Sequence, residues 1–175
     1  KRERRARGYE AVYSPHIGKS TLWHTSGHLT FYKENMYAPL DIEGQEYYLK
    51  PMNCPFHIMI YQNKRRSYRD LPLRFAEWGT VYRYERSGVL HGLLRVRNFV
   101  QDDAHIFCTE NQIQGEVSAF IDLLHRVYAD FGFREVIYKL STRPPDRIGS
   151  DESWDKAEHA LEQALNAKGL QWDLQ

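Results

Sequence analysis

The sequence has little cysteine and no long apolar run. Only two of its 175 residues are cysteine, too few for a disulfide framework of the kind that holds small secreted domains together. No apolar run approaches the roughly 20 residues that a transmembrane helix needs, so we do not expect a membrane protein. The basic start, Lys1–Arg7, is not followed by the apolar segment of a secretory signal peptide. Together these absences favour a cytoplasmic protein.

Net charge is nearly absent as well, at a formal +1, so the total charge does not indicate nucleic-acid binding. Arginine is nevertheless concentrated in Lys1–Arg7, Lys64–Arg74 and Arg83–Arg97. Such stretches can bind phosphates, although a solvated charged face is the simpler interpretation. Neither a GxGxxG nor a GxxxxGK[ST] loop is present, which argues against Rossmann and P-loop sites. The phosphates of any bound nucleotide would therefore have to be held by arginines.

Two long strands joined by a loop give the clearest β signal. Leu73–Glu85 and Leu94–Thr109 are rich in aromatic and β-branched residues. The loop between them contains two glycines, so the pair predicts a long hairpin. Shorter strands are predicted at Tyr9–Ser14, Glu46–Leu49, Glu135–Leu140 and Leu170–Leu174.

Two amphipathic helices are predicted in the last third of the chain. Thr109-x-x-Gln112 is a capping-box pattern that precedes a helix ending at Gly132, and a second helix runs from about Asp151 to Gly169. The apolar residues predicted to face inward are Ile113, Val117, Phe120, Ile121, Leu124, Tyr128 and Phe131 in the first helix, and Trp154, Ala157, Leu161, Ala164 and Leu165 in the second. Shorter helices are predicted at Arg2–Arg7, Ser20–Ser26 and Cys54–Asn63. Hairpins with helices between them predict an antiparallel α+β fold.

Three arginines of the predicted hairpin are candidates for phosphate binding. Arg83 is placed late in the first strand, and Arg95 and Arg97 alternate on the returning strand, where they would face the same side of the sheet. A guanidinium group on a rigid strand can donate two hydrogen bonds to a phosphate and stabilise developing charge. The simpler alternative is that these arginines form cross-strand ion pairs with Glu77 or Glu85.

Cysteine and histidine occur in two pairs with metal-ligand spacing. Cys54-x-x-His57 and His105-x-x-Cys108 together would suit a closed tetrahedral Cys2His2 site. Two free buried cysteines and two hydrogen-bonded histidines are the alternative. Strand alternation also places Gln101, Asp103 and His105 on one face, a combination that suits a polar pocket.

Several segments resemble class II aminoacyl-tRNA synthetases, and in particular the threonyl-tRNA synthetase family. The zinc-cysteine segment of that family is similar to KPMNCPFH at residues 50–57, and its motif 2 is similar to LPLRFAEWGTVYRYE at 71–85. The loop and second strand of motif 2 resemble SGVLHGLLRVRNFVQDDAHIFCT at 87–109, and the following insertion resembles LSTRPPDRIGSDESWDKAE at 140–158. Gly8–Pro15 resembles the end of motif 1, which lies at the dimer interface in that family. The resemblance implies that residues 1–175 are part of a class II catalytic domain, with an antiparallel sheet flanked by helices.

The resemblance also implies an ATP site built on motif 2. Arg83 would bind the α-phosphate and stabilise the transition state as the carboxylate of threonine attacks. Glu85 and Arg95 would hold the two ends of a bent ATP, and Phe99 would stack on adenine. Mg²⁺ would bridge the phosphates. The reaction would be an in-line displacement driven by positioning and charge stabilisation.

For the amino acid, the resemblance implies a zinc ion bound by Cys54 and His105, whereas His57 and Cys108 are not ligands. Threonine would coordinate the open zinc through its amino nitrogen and hydroxyl. Asp103 would accept a hydrogen bond from that hydroxyl, with Gln101 and Met52 also in contact. Valine has no hydroxyl and would leave these polar groups unmatched.

The resemblance assigns one further residue, His28, to the transfer of threonine to tRNA. It also implies that the parent protein is a homodimeric threonine–tRNA ligase whose partners are ATP, L-threonine and tRNA(Thr).

Some parts of the family pattern have no match before Gln175. They are the third zinc ligand (a histidine), motif 3 with its ATP-binding arginine, and the anticodon-binding domain. We therefore expect these 175 residues by themselves to be inactive and to bind zinc weakly. The alternative is a stand-alone, synthetase-like paralogue that acts as an RNA-binding or regulatory module. A zinc hydrolase fits poorly, since it would need a third protein ligand and a base to activate water.

Overall fold

The computed structural model describes residues 2–175, which form two compact units. The first unit ends at Phe107, and the second runs from Cys108 to Gln175. None of the helices within residues 2–175 is long and apolar enough to cross a membrane. The predicted mixture of helices and mainly antiparallel strands is confirmed.

Within residues 2–107, the first unit contains six strands and four α-helices. The strands are β1 Tyr9–Ala11, β2 Ile17–Lys19, β3 Leu40–Ile42, β4 Gln45–Leu49, β5 Leu73–Tyr82 and β6 Asn98–Phe107. The helices are α1 Arg2–Ala6, α2 Ser20–Thr25, α3 His28–Phe31 and α4 Cys54–Gln62. The short helices predicted near the N-terminus, after Lys19 and after Asn53 are therefore confirmed.

The main sheet of this unit has the order β1-β5-β6. β5 and β6 pair antiparallel from Leu73↔Phe107 to Tyr82↔Asn98, which confirms the predicted hairpin. The predicted strands were too long at the loop end, because regular pairing stops at Tyr82. β1 runs parallel to β5, so the sheet is not purely antiparallel.

A second sheet, of order β2-β4-β3, supports the main apolar cluster of this unit. β3 and β4 are joined by Glu43 and Gly44, with φ of 55° and 78°. Two positive φ angles in succession are typical of a tight type I′ hairpin, which suits the right-handed twist of the strands. The cluster packed against this sheet comprises Trp23, Met36, Tyr48 and Phe56.

The second unit consists of α5 Ile113–Asp130, β7 Tyr138–Leu140, α6 Asp151–Ala167 and β8 Trp172–Leu174. The capping box is present: the Thr109 backbone N–H donates to Gln112 Oε1 at 2.9 Å. Gly132 and Gly169 follow the ends of the two helices with φ of 82° and 63°, as expected for glycine beyond a helix C-terminus. Both predicted helices are therefore confirmed.

The core of the second unit differs in part from the prediction. It comprises Ile121, Leu140 and Leu165, with Val117 and Leu161 packed against it. Phe120 and Phe131, which the helical spacing placed inward, are 50% and 77% exposed. Leu123, which the prediction omitted, is buried.

The small sheet of the second unit was also predicted imperfectly. Regular strand structure begins only at Tyr138, not at Glu135. β7 and β8 pair in parallel, with Tyr138 opposite Trp172. A parallel pair needs a crossover connection, and α6 provides it.

Candidate active site

The candidate site lies on one face of the β5–β6 hairpin. Residues that pair across an antiparallel ladder point to the same face of the sheet. The pairs on this face are Phe75↔His105, Glu77↔Asp103, Gly79↔Gln101 and Val81↔Phe99. The alternation expected for Gln101, Asp103 and His105 is therefore present.

The segment that leads into α4 contacts this face. Asn53, which is fully buried, precedes the first turn of α4, and its Nδ2 donates to Asp103 Oδ2 at 3.0 Å. Met52 is half-buried, between the buried Pro51 and Asn53. The residue after Asn53 is Cys54, so the thiol is brought to the same region as the Asp103 carboxylate.

Cys54 is half-buried, and burial raises the pKa of its thiol. The negative charge of Asp103 raises the same pKa further, while a backbone hydrogen bond and the positive charge of Arg83 lower it. Cys54, Asp103 and Arg83 are therefore close enough to interact electrostatically. Three of the residues singled out in the sequence share one neighbourhood.

His105 contacts a second histidine on α4. Its Nδ1 lies 2.8 Å from His57 Nδ1 and 4.0 Å from Asp103 Oδ1. His57 is fully buried, and its Nε2 lies 3.7 Å from Glu77 Oε2. Burial lowers the pKa of His57, and the neighbouring His105 lowers it further, which favours a neutral ring although Glu77 and Asp103 act in the opposite direction.

One arrangement of protons on the two histidines is compatible with both contacts. If His57 directs its Nε2–H toward Glu77, its Nδ1 has a lone pair and accepts a hydrogen bond from His105 Nδ1–H. The other ring nitrogen of His105, Nε2, then has a lone pair that can bind a metal ion. His57 is thus in contact with His105, and this contact can hold the His105 ring in a fixed orientation.

His57 belongs to a buried polar and charged cluster that we call the Lys50–Glu77 cluster, comprising Ser14, Lys50, His57 and Glu77. Glu77 accepts from the Ser14 backbone N–H and hydroxyl, both at 2.7 Å, and from Lys50 Nζ at 3.2 Å. Lys50 Nζ also donates to Ser14 Oγ at 2.6 Å. Burial alone would raise the pKa of Glu77, but these hydrogen bonds and the positive charge of Lys50 hold it below its ordinary value.

Arg83 lies one residue beyond the end of β5. Its Nε donates to the Pro51 carbonyl at 3.4 Å, and its guanidinium carbon lies 5.2 Å from the centre of the Phe99 ring. Its backbone N–H donates to the Arg97 carbonyl at 2.9 Å. The structure therefore brings Arg83 and Phe99 together and ties Arg83 to the segment before Cys54.

The predicted positions of Arg95 and Arg97 on a strand are wrong. β6 begins only at Asn98, and the preceding loop contains a 3-10 turn and a tight bridge between His91 and Arg95. Arg95 pairs with Glu85, donating from Nε at 3.2 Å and from Nη2 at 3.0 Å. The ion-pair alternative therefore holds for Arg95 with Glu85. Arg97 Nε donates to the Glu85 carbonyl at 2.9 Å.

His28, the predicted transfer residue, begins α3. Its Nδ1 lies 2.8 Å from Ser26 Oγ, and its ring packs edge-on against Trp23 and Tyr32. Burial lowers the pKa of His28, although a hydrogen bond to Ser26 opposes the shift. The ring is therefore favoured in its neutral form, which can accept a proton.

The N-terminal helix is fastened to the strand that carries Asp103. Arg4 on α1 donates from Nη2 to the Asp102 carbonyl at 2.7 Å and from Nη1 to the Asp103 carbonyl at 3.0 Å. It also forms an ion pair with the Asp102 carboxylate at 3.0 Å. These bonds hold the backbone of β6 at Asp102 and Asp103.

Within residues 2–175, no three histidine, cysteine, aspartate or glutamate side chains are grouped so as to hold a metal ion. The closed four-ligand alternative therefore has no support in the part of the chain that the structure describes. The donor chemistry of Cys54 and His105 does fit zinc, which favours thiolate and imidazole ligands. Two such donors fit zinc as part of an incomplete set.

A family model for the tRNA synthetase class II core domain (G, H, P, S and T) matches residues 32–163. The chain therefore belongs to this family of class II tRNA synthetase core domains. Among curated proteins, it is 61% identical over 171 residues to the threonine–tRNA ligase of Methylococcus capsulatus (strain ATCC 33009 / NCIMB 11132 / Bath). It is 60% identical over 167 residues to that of Coxiella burnetii (strain RSA 493 / Nine Mile phase I). The predicted resemblance to threonyl-tRNA synthetases is confirmed.

These matches cover 98% and 95% of this chain but only 27% and 26% of the two relatives, so the chain spans about a quarter of their length. Among solved structures, it is similar to the RNA-binding domain of threonyl-tRNA synthetase from Cryptosporidium parvum Iowa II, with a TM-score of 0.91 and 46% identity over 99% of this chain and 43% of that one. A Giardia lamblia prolyl-tRNA synthetase, 20% identical over 74% of this chain and 27% of that one, with a TM-score of 0.65, shares the fold.

Proposed function

We propose that residues 1–175 form part of the catalytic domain of a threonine–tRNA ligase. The whole protein would activate L-threonine with ATP and transfer it to tRNA(Thr). The observation that carries the proposal is the grouping of Cys54, Arg83 and Asp103, with His105 beside Asp103, at one hairpin face. The identities of 61% and 60% to threonine–tRNA ligases favour this function over a separate RNA-binding or regulatory module.

Arg83 would bind the ATP α-phosphate. Its guanidinium group is held at the end of a rigid strand, against Phe99 and the Pro51 carbonyl. A pre-positioned cation lowers the barrier by stabilising the charge that develops as the threonine carboxylate attacks phosphorus. The bond to the pyrophosphate leaving group breaks in the same displacement, and Mg²⁺ would accompany the phosphates.

Adenine would stack on the Phe99 ring, and Glu85 and Arg95 would hold the two ends of the bent nucleotide. Glu85 and Arg95 are paired with each other, and Arg95 is 57% exposed. Exposed ion pairs contribute little net stability. Exchanging the pair for contacts to ATP would therefore cost little.

The amino-acid pocket would use polar groups on β6. Asp103 would accept a hydrogen bond from the threonine hydroxyl, and Gln101, two residues before it on the same face, would contact the same substrate. Met52, on the segment before Asn53, would add an apolar contact. A pocket with such groups strongly disfavours valine, because the polar groups would be left unpaired.

Cys54 and His105 would hold zinc, with the third ligand supplied by a part of the parent protein outside this chain. When bound, zinc supplies a Lewis acid that can take the amino nitrogen and hydroxyl of threonine as ligands. The His57–Glu77 contact would keep the lone pair of His105 Nε2 available. His28 would accept a proton during transfer to tRNA. The parent protein would act as a cytoplasmic homodimer.

Threonine-dependent ATP–pyrophosphate exchange by the full-length protein that carries this segment tests the proposal. We expect exchange with threonine and almost none with valine. Arg83→Ala should lower kcat by about a hundredfold to a thousandfold, the range found when one charge-stabilising group is removed. Cys54→Ser should reduce the zinc content measured by atomic absorption.

Arg69→Ala is the matched control. Arg69 is also in the first unit, and its Nε donates a hydrogen bond to the hydroxyl of the exposed Tyr68 at 3.3 Å. This variant should retain wild-type exchange. Absence of threonine-dependent exchange in the unmodified protein would overturn the proposal, as would equal losses for Arg69→Ala and Arg83→Ala.

A further inference from the structure

Asn53 is a fully buried polar residue to which the proposed reaction gives no role. Its Nδ2 donates to Asp103 Oδ2 at 3.0 Å. Its Oδ1 is buried and has no hydrogen-bond partner among residues 2–175. A buried unsatisfied oxygen is costly, so an amide held under those conditions calls for an explanation.

Helix capping does not explain Asn53. It occupies the N-cap position of α4, where asparagine usually accepts a hydrogen bond from the first helical turn. Here the side chain makes no capping hydrogen bond, and its backbone angles, φ −89° and ψ −18°, lie in the helical region. The polar contact of this side chain is directed at Asp103.

Gly79 on β5 provides the space that the Asn53 amide occupies. A Cβ atom at residue 79 would lie 2.2 Å from Asn53 Nδ2 and 2.6 Å from both its Cγ and its Oδ1. Gly79 is not among the glycines with positive φ, so no backbone requirement selects glycine here. Glycine at this position is needed for space, because any side chain would displace the amide.

We infer that Asn53 is a positioning residue that fixes the Asp103 carboxylate for recognition of the substrate hydroxyl, and that Gly79 fixes the position of Asn53. The inference rests on the proposed function and deepens it. With Oδ2 bonded to Asn53, the second oxygen of Asp103 is left to accept from the substrate. The Asp103 side chain is 21% exposed, so the carboxylate is not sealed from solvent. Asn53 therefore acts on specificity through Asp103, without contact with the substrate.

The first test is Asn53→Ala in the full-length protein, read by calorimetric threonine binding and by pyrophosphate exchange. We expect the Kd and KM for threonine to rise about tenfold to a hundredfold, the range expected when a hydrogen bond to a charged group is lost. The ratio of kcat/KM for threonine over valine should fall by a similar factor, because valine has no hydroxyl to lose. The KM for ATP should stay within about twofold.

A double-mutant cycle makes the test specific to the geometry. Gly79→Ala removes no functional group, yet it should reproduce the threonine defect because its methyl group displaces the Asn53 amide. In the Asn53→Ala background that space is open, so adding Gly79→Ala should cause no further loss. Gly115→Ala is the control, since a Cβ there would meet nothing within 4 Å.

Each outcome separates the inference from the proposed function. If the unmodified protein shows no threonine-dependent exchange, both fail. If it is active and Asn53→Ala retains the threonine Kd and the threonine-to-valine ratio within about twofold, the inference alone is overturned. Equal losses for threonine and ATP would show a general structural role and would also overturn it. If Gly79→Ala does not fold, Asn53→Ser, which shortens the side chain, decides by the same two measurements.

Discussion

The two units both contain a network of charged side chains, but they place it differently relative to water. In the Lys50–Glu77 cluster of the first unit, the Lys50 and Glu77 side chains are only 2% and 3% exposed. In the second unit, Arg143 pairs with Glu158 at 2.8 Å, with side chains 23% and 18% exposed, and also with Asp155, whose side chain is 68% exposed. The same types of charge therefore work in very different surroundings.

We infer from this difference that burial, more than the number of ion pairs, determines how strongly a charged network stabilises the fold. A charge removed from water needs its partner, because the cost of leaving it unpaired is large. The buried cluster therefore holds β5, Ser14 and His57 in one arrangement and supports the candidate site. The partly exposed network holds the loop before α6, where Glu158 accepts hydrogen bonds from both the backbone and the guanidinium group of Arg143.

The largest expected effect follows from Glu77→Gln, which removes the negative charge opposite the buried Lys50. We expect the free energy of unfolding to fall by roughly 3 to 5 kcal/mol, because an unpaired buried charge remains. Chemical denaturation measures the loss, and hydrogen exchange should assign it to β5 and β6. Glu10→Gln, at an exposed position of β1, is the control and should change little. If Glu77→Gln lowers the free energy of unfolding by less than about 1 kcal/mol, the buried cluster is not more important for stability than the network of the second unit.

Adding Lys50→Met to Glu77→Gln sharpens the same point. The double variant lacks both charges, so we expect it to be more stable than Glu77→Gln alone. Denaturant midpoints of the two variants measure the difference. If the double variant is the less stable one, Lys50 contributes through its packing and hydrogen bonds more than through its charge.

For the second unit, the larger effect should come from its apolar core. Leu165 is 9% exposed and packs with Ile121 and Leu140. Leu165→Ala should cost about 2 to 4 kcal/mol through lost burial and the resulting cavity. This loss of stability should appear as faster hydrogen exchange in α5 and α6. Leu174→Ala is the control, because Leu174 is 68% exposed. Equal effects of the two substitutions would contradict this core assignment.

Acid should act on the first unit through Glu77. Its pKa in the folded protein is below its ordinary value, so the unfolded chain binds the proton more readily. The stability that Glu77 contributes is therefore complete above about pH 4.3 and is lost as the pH falls through the folded pKa. Between pH 5 and pH 2.5, the free energy of unfolding measured by denaturation should fall more steeply with decreasing pH for the unmodified chain than for Glu77→Gln. If the free energy of unfolding falls equally with decreasing pH in both proteins, Glu77 is not responsible for the loss of stability in acid.

The smallest effect is expected from Arg143→Met in the second unit. Its partners are partly or largely exposed, so water replaces the lost contacts at little cost. We expect a change in melting temperature of at most a few degrees, which should diminish further in 1 M salt because salt screens exposed charges. A large loss of stability that salt does not alter would show that exposure is not the deciding difference between the two networks.

Elements set by local patterns were predictable from the sequence. The capping box at Thr109 and the glycine after α5 depend on residues close together in the chain, and both were found where expected. The strand predicted at Arg95 and Arg97 was wrong, because these residues lie in a loop with a turn and a short bridge before β6 begins. Residue composition does not predict such a loop. Phe131 was placed inward because helical spacing identifies an apolar face but not what covers it.

The polar contacts that build the site were less predictable. Residues 14, 50 and 77 are widely separated in the sequence, and only the folded hairpin brings them together. From the sequence, Glu77 was predicted only as a possible ion-pair partner of the hairpin arginines, and no role was predicted for Asn53. The one available signal was that Lys50 and Asn53 both lie in the segment that resembles the family's zinc-cysteine motif.

The bonds from Arg4 to the carbonyls of Asp102 and Asp103 have a practical consequence for handling the protein. They join α1 to a strand about a hundred positions further along the sequence. An expression clone that begins within α1, or a tag fused directly against that helix, would remove these bonds to β6. Assays that compare amino-acid preference should therefore use protein in which α1 is intact.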